Sequence, residues 1–203
     1  QEMDACFRCH SRRRTLNPDF QAGEKFYDYF CNEALAAETY YADGQILDEV
    51  YVHGSFIQSK MYHKGVRCSD CHDPHSLKLR APREQVCMQC HASETFATTA
   101  HQMHEPGVTN CIDCHMPATT YMQVDARNDH SFRIPRPALT IAAGTPNACN
   151  SCHTDKDALW ATQALQQAGR INNNEGDHWS VRFATSTRQN PSLSALATDA
   201  TAP

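Results

Sequence analysis

The stretch Cys68-Ser-Asp-Cys71-His72 places two cysteines three positions apart, with a histidine directly after the second cysteine. The same C-x-x-C-H pentad occurs at four other places, so that ten of the eleven cysteines follow one rule. This pentad is the attachment signature of c-type haem: both thiols bond to the porphyrin, and the histidine ligates the iron. The predicted attachment residues are Cys6, Cys9, Cys68, Cys71, Cys87, Cys90, Cys111, Cys114, Cys149 and Cys152, and the predicted proximal iron ligands are His10, His72, His91, His115 and His153.

Paired cysteines also occur in zinc sites, in redox-active dithiols and in disulfide frameworks. Zinc sites do not require a histidine directly after each pair, and a redox dithiol occurs singly, near a βαβ pattern that this sequence lacks. Five repeats of the full pentad therefore favour five haem c groups. Because haem is attached covalently outside the cytoplasm, we expect a periplasmic or extracellular protein whose export signal has been removed.

The composition supports a fold built around cofactors. The chain has 203 residues, a net charge of -5, 8% aromatic residues and a mean hydropathy of -0.61. So few apolar side chains cannot form a large conventional core, and porphyrin faces would supply much of the buried surface. We expect a mainly α and irregular fold with stacked haems at its core. The charge pattern excludes nucleic acid as a partner, and no apolar run is long enough to span a membrane.

Seven histidines remain after the proximal ligands are assigned, enough to give every iron a second axial imidazole. We predict His53, His75 and His130 as distal ligands, His75 because Pro74 ends the local helix and turns the next side chain toward a neighbouring porphyrin. His101 and His104 lie one helical turn apart, so both should face the same side. One of them, preferably His104, would be a ligand, while the other binds a propionate or water. The less favoured candidates are His101 and His63.

Local patterns divide the chain into a pentahaem domain over residues 1–170 and a C-terminal extension over residues 171–203. Helices are predicted around Glu33 to Tyr40 and from a capping box at Thr154-x-x-Asp157 to Gly169. The turn signal at Asp43-Gly44 could close a small hairpin. The extension is predicted to be a polar tail or a short helix around Leu193 to Leu196.

Cys31 is the one cysteine outside the pentads, and it lies among aromatic residues. This setting indicates a buried, unreactive thiol. An intermolecular disulfide is the alternative for an unpaired cysteine in an oxidising compartment.

Seven segments carry a resemblance to a known family. They are Cys9-His10-Ser-Arg-Arg, Ala42-Asp-Gly-Gln-Ile-Leu-Asp-Glu-Val-Tyr, Gly54-Ser-Phe-Ile-Gln-Ser-Lys-Met, Cys68-Ser-Asp-Cys-His-Asp-Pro-His-Ser-Leu-Lys-Leu-Arg, Cys114-His-Met-Pro, Asp129-His-Ser-Phe-Arg-Ile-Pro-Arg-Pro and Gly144-Thr-Pro-Asn-Ala-Cys. These segments resemble the haem region of bacterial multihaem c-type cytochromes that carry C-terminal tetratricopeptide or HEAT-type repeats. The resemblance adds His178 as a fifth distal ligand. Because further haem sites and the repeats are missing, we expect a short relative or a processed fragment.

The predicted function is electron transfer by hopping through bis-histidine haems. The chain could be a soluble periplasmic carrier that serves redox partner proteins or terminal acceptors. It could also be a subunit of an extracellular filament with head-to-tail haem contacts, because the end haems have only distant candidate ligands. Its motifs also resemble the haem packing of pentahaem nitrite reductases and hydroxylamine-oxidising enzymes. That nitrite reductase class places Lys at its catalytic haem, where every pentad here has His, so we favour a protein that is not an enzyme.

Overall fold

The computed structural model describes residues 2–171 and 178–189. Its helices are α1 (Glu2–His10), a 3-10 turn (Phe26–Asp28), α2 (His53–Phe56), α3 (Lys60–His63), α4 (Cys68–Cys71), α5 (Arg83–Met88), α6 (Ser93–Phe96), α7 (Thr99–Gln102), α8 (Cys111–His115), α9 (Pro137–Ala143), α10 (Cys149–Cys152), α11 (Ala158–Gln167) and α12 (Trp179–Gln189). Its strands are β1 (Arg13–Thr15), β2 (Phe30–Asn32), β3 (Ala118–Tyr121) and β4 (Asp125–Asn128). The predicted mainly α and irregular fold is confirmed. The longest described helix has 11 residues, and none of the described helices could cross a membrane.

Three of the pentads form single helical turns, which are α4, α8 and α10, while the first lies at the end of α1 and the third begins in α5. The C-x-x-C spacing brings both thiols to one side of such a turn. In α4 the Asp70 carboxylate accepts a hydrogen bond from the Arg67 amide at 2.8 Å. In α8 the Asp113 carboxylate accepts one from the Asn110 amide, also at 2.8 Å. The residue before the second cysteine thus closes the first turn of both helices.

The strands form two antiparallel hairpins. Strand β1 pairs with β2, with Arg14 opposite Cys31, and β3 pairs with β4, with Tyr121 opposite Asp125. The predicted turn at Asp43-Gly44 is present, because the Gly44 amide donates to the Tyr41 carbonyl at 2.8 Å. A single bridge between Tyr40 and Ile46 flanks this turn, so the hairpins lie elsewhere in the chain.

Buried apolar side chains are concentrated in the N-terminal region. Five phenylalanines from helix α1, the loop and 3-10 turn after β1, strand β2 and helix α2 form one cluster. They are Phe7, Phe20, Phe26, Phe30 and Phe56. A second, smaller packing region joins α9, α11 and α12 through the buried residues Leu139, Ala161 and Ala184. No residue between 60 and 120 is buried, although the structure describes all of them. Three of the five pentads lie in that unburied segment.

Two helix predictions have different outcomes. The helix around Glu33 to Tyr40 is wrong: the segment forms a turn in which the Tyr40 amide donates to the Ala36 carbonyl at 2.8 Å. Tyr40 is buried, and its hydroxyl occupies the space beside Gly54, where a Cβ would lie 2.0 Å from it. This long-range contact holds the segment in its turn.

Helix α11 confirms the second prediction. It is capped by the Asp157 carboxylate, which accepts from the Trp160 amide at 2.8 Å, so Asp157 and not Thr154 starts the helix. The helix ends at Gln167, just before Gly169 with φ +67°. The helix predicted around Leu193 to Leu196 lies outside the described residues. Within the predicted extension, α12 packs against α9.

Candidate haem sites

Three pairs of histidine rings face each other across similar gaps. The ring centroids of His72 and His130 are 6.4 Å apart, with an interplanar angle of 27°. Those of His101 and His115 are 6.1 Å apart at 16°, and those of His104 and His153 are 5.9 Å apart at 29°. Two imidazoles bound to opposite sides of one metal ion, with metal–nitrogen bonds of about 2 Å, have centres roughly 6 Å apart. Each pair joins a predicted proximal histidine to a histidine from elsewhere in the chain, at a separation that accommodates an iron between the rings.

One histidine of each pair has its Nδ1 atom fixed by a backbone carbonyl. His115 Nδ1 lies 2.7 Å from the Arg133 carbonyl oxygen, His130 Nδ1 lies 2.8 Å from that of Asn128, and His104 Nδ1 lies 2.8 Å from that of Gln102. A carbonyl only accepts hydrogen bonds, so Nδ1 must carry the proton in each case. The Nε2 lone pair is then available for a metal, which is the usual arrangement of ligating histidines.

Burial favours the neutral form of two of the paired histidines. It lowers the pKa of His130 below its ordinary value, although the hydrogen bond to Asn128 opposes the shift. Burial also lowers the pKa of His101, and the neighbouring charge of His115 lowers it further. A neutral imidazole is the form that binds iron.

His101 and His104 do not face the same side, which corrects the interpretation from their spacing. Helix α7 ends at Gln102, and Met103 adopts a left-handed conformation with φ 59°. This residue redirects the chain, so His101 faces His115 while His104 faces His153. The spacing rule failed because it requires an uninterrupted helix.

His53 occupies a different environment from the paired histidines. It is fully buried, and its ring lies on the Phe7 ring with centroids 3.7 Å apart. Its Nδ1 is 2.9 Å from Asn32 Oδ1, and its Nε2 is 3.3 Å from the Tyr27 hydroxyl. Burial lowers the pKa of His53 to about 4. Its role as a distal ligand stays a prediction.

The other candidate distal ligands are also placed apart from the three pairs. His75 is exposed, in a turn where its amide donates to the Asp73 carboxylate at 3.0 Å. The His63 ring packs edge-on against Tyr62. His178 Nδ1 is 2.8 Å from the Ser180 hydroxyl oxygen. These three assignments stay predictions, and they concern the irons that His10 and His91 would bind.

The attachment cysteines are neighbours in the order of the sequence. Burial raises the pKa of the Cys68 thiol to about 12, and the adjacent Cys6 thiol adds to the rise. Burial raises the pKa of Cys111 to about 11, with a further contribution from the nearby Cys87. The first pentad therefore contacts the second, and the third contacts the fourth.

The second pentad also lies near the third, and the fourth lies near the fifth. Burial raises the pKa of Cys71, and the charge of Cys87 adds to this effect. Burial also raises the pKa of Cys114, with Cys149 as the next contribution. Each pentad thus lies near the pentad that follows it in sequence, from the first to the fifth.

Two arginines provide a further test of whether these residues fit haem. Arg13 Nε and Arg133 Nε are buried and have no hydrogen-bond partner within the described residues. A buried guanidinium N–H without an acceptor is costly, and haem carries two propionate carboxylates that could accept from it. The ring pairs, the fixed tautomers, the neighbouring thiols and these donors all fit a series of covalently bound haems. Sequence reasoning did not single out Arg133, although it follows the predicted ligand His130 by three residues.

Cys31 lies in β2 and is partly buried with a free thiol, which contacts the Asn32 carbonyl oxygen at 3.7 Å. Its setting beside the aromatic cluster agrees with a packing role. The predicted alternative of an intermolecular disulfide stays open to experiment.

Comparisons with known proteins agree with this geometry. A family model described as cytochrome c552 matches residues 88–178, and a model described as a doubled CXXCH motif matches residues 61–96. No curated protein matches the chain. Among solved structures, the crystal structure of the outer cell wall cytochrome OcwA is similar, with a TM-score of 0.57 and 15% sequence identity over 98% of this chain. The chain spans 64% of the OcwA chain, and at this identity the likeness shows the fold. With C-x-x-C-H motifs that indicate covalently bound haem c, the chain is a multihaem c-type cytochrome.

Proposed function

We propose that the protein transfers electrons by one-electron hopping through five covalently bound haems. The observation that carries this proposal is the set of three histidine pairs with ring centroids 5.9–6.4 Å apart. Iron with two axial imidazoles has no open position for a substrate and is suited to electron transfer. The haems supply the redox chemistry, while the chain sets their spacing, burial and axial ligands.

The pairs support a specific assignment of ligands. We assign His130 to the haem of His72, His101 to that of His115 and His104 to that of His153. The haems of His10 and His91 would draw their distal ligands from the remaining candidates, which are His53, His63, His75 and His178. An enzymatic role would require an open iron at one of those two haems, so the proposal that the protein is not an enzyme depends on them.

The order of the pentads supports a single conduction path. A thiol of each pentad lies near a thiol of the next pentad. The haems bound there would therefore follow one another in sequence order, and electrons would move along that order. Cys9 and Cys152 are exposed at the two ends of this series, and Cys90 is exposed in its middle. We place the contacts with redox partner proteins or terminal acceptors at these two end haems, within a pentahaem domain over residues 1–170.

Covalent haem attachment supports a periplasmic or extracellular location. OcwA, whose fold is similar, is described as an outer cell wall cytochrome. A discrete carrier would meet redox partners at its two end haems, and exposure of the attachment cysteines does not separate it from a filament, because Cys90 of the third pentad is exposed as well. An extracellular filament joined head to tail through the same haems is the alternative, and electron microscopy of native material distinguishes particles from filaments.

The test uses the holoprotein. We expect its mass to exceed that of the chain by five haems and its ferric electron paramagnetic resonance spectrum to be low-spin throughout. His130→Ala, His101→Ala and His104→Ala should each convert one haem to a high-spin form, whereas Lys64→Gln, at an exposed residue that is not a candidate ligand, serves as a surface control. A high-spin haem in the intact wild-type protein would contradict the proposal and favour an enzyme.

A further inference from the structure

Arg133 lies between two of the assigned haem sites. It follows His130, the assigned ligand of the second haem, by three residues. Its backbone also binds the proximal ligand of the fourth haem: the Arg133 amide donates to the His115 carbonyl at 3.1 Å, and His115 Nδ1 donates to the Arg133 carbonyl at 2.7 Å. The side chain therefore starts from a backbone position that is fixed relative to both haems.

The Arg133 guanidinium is oriented by Gln58. Arg133 Nη2 donates to Gln58 Oε1 at 2.8 Å. The Gln58 amide nitrogen in turn donates to the carbonyls of Gly54 and Gly44, at 2.8 and 3.1 Å. Both ends of the Gln58 amide are thus used to hold one arginine.

Gly44 permits this arrangement. A Cβ atom at this position would lie 2.1 Å from Gln58 Oε1 and 3.0 Å from Arg133 Nη2, and the residue has φ +84°. Only glycine adopts this backbone conformation without strain while leaving room for the amide. The turn at Asp43-Gly44 therefore contributes to the placement of Arg133.

The Nε–H of this held guanidinium has no acceptor in the part of the chain that the structure describes. A buried N–H without an acceptor is costly, and an anionic acceptor would relieve that cost with a strong charge-assisted hydrogen bond. The two adjacent haems each carry propionate carboxylates. The chemistry of the donor matches these groups.

We propose that Arg133 is a haem-binding residue whose Nε–H donates to a propionate of the haem bound by His115 or of the haem bound by His72 and His130. This inference rests on the proposed function. The positive charge offsets the propionate charge and raises the reduction potential of that haem, because ferric haem carries one more positive charge than ferrous haem. Gln58 is a positioning residue that acts through Arg133.

The test compares Arg133→Gln, which removes the charge, with Arg133→Lys, which keeps the charge but lacks the Nε donor. The control is Arg12→Gln, since Arg12 is an exposed arginine whose charge is paired with Asp48 at 3.1 Å. Spectropotentiometry of the holoprotein should show the reduction equilibrium of one haem shifted about tenfold toward the ferric form in Arg133→Gln, which is about 59 mV for a one-electron couple. Arg12→Gln should leave all potentials unchanged.

Resonance Raman spectroscopy supplies a readout that does not depend on electron transfer. The propionate bending band of one haem should shift in Arg133→Gln and Arg133→Lys, and less in Gln58→Met, which retains the charge. Unchanged potentials and an unchanged band in Arg133→Gln would overturn the inference and indicate that Nε binds water. If Arg133→Gln fails to incorporate five haems, the band in Arg133→Lys decides. The inference fails separately from the proposed function, because the latter is tested by the spin state of the wild-type protein.

Discussion

Residues 2–59 and residues 60–120 bury their surfaces in different ways. The first region packs five phenylalanines into a cluster in which Phe26 is fully buried. The second region contains three haem pentads and no buried residue, and its apolar side chains Leu77 and Val108 are 74% and 66% exposed. The first region can therefore form contacts among its own side chains, whereas the second depends on porphyrin faces for burial. A multihaem chain can thus combine a protein-packed part and a cofactor-packed part.

Removal of one haem from the second region should have the largest effect and tests this contrast directly. In Cys87→Ser/Cys90→Ser, the mass should fall by one haem, and amide exchange over residues 83–104 should approach the unfolded rate. The phenylalanine cluster should keep its protection, as measured by hydrogen exchange with mass spectrometry. Uniform loss of protection in both regions would show that they fold as one unit and would break the comparison.

Truncation of a core phenylalanine should destabilise the first region rather than the second. Phe26→Ala should lower the free energy of unfolding by about 3–5 kcal/mol, because it leaves a cavity in the protein-packed region. The control is Leu16→Ala in the same region, where the side chain is 64% exposed and the loss should be much smaller. Denaturant unfolding followed by haem absorbance and tyrosine fluorescence measures both. Equal losses would argue against a protein-packed core in the first region.

The assignments of His101 and His104 sharpen the description of the second region. His101→Ala and His104→Ala should each produce one high-spin haem, and the double variant should produce two. If only His104→Ala produces one, then His104 is a ligand and His101 is not, as their spacing first suggested. Electron paramagnetic resonance of the ferric proteins counts the affected irons.

These outcomes also show where sequence reasoning reaches its limit in this molecule. The pentads and helix α11 were predictable because each depends on residues within one or two helical turns. The His101 orientation depends on the left-handed backbone of Met103, and Met is not a residue that favours this conformation. The turn at Tyr40 depends on a contact with Gly54, and the pairing of β1 with β2 also joins separated segments. Such tertiary contacts leave no local pattern in the sequence.

The smallest expected effect is the pH dependence of stability that arises from His53. It tests whether this residue belongs to the protein-packed region or ligates a haem. Burial lowers its folded-state pKa to about 4, while the unfolded value is near 6.5, so the folded state favours the neutral ring. Its contribution to stability is complete above pH 6.5 and is lost as the pH falls toward 4. We expect the free energy of unfolding to drop by about 2 kcal/mol between pH 7 and pH 5 because of this residue.

The matched variant His53→Gln removes the titrating ring and should abolish this part of the pH dependence. Its haems should keep their wild-type spin states, because the His53 ring nitrogens bind Asn32 and Tyr27 in the protein-packed region. If His53→Gln instead yields one high-spin haem, His53 is the distal ligand that the sequence predicted. The aromatic cluster would then enclose a haem ligand, and the division between protein-packed and cofactor-packed regions would not hold at this position.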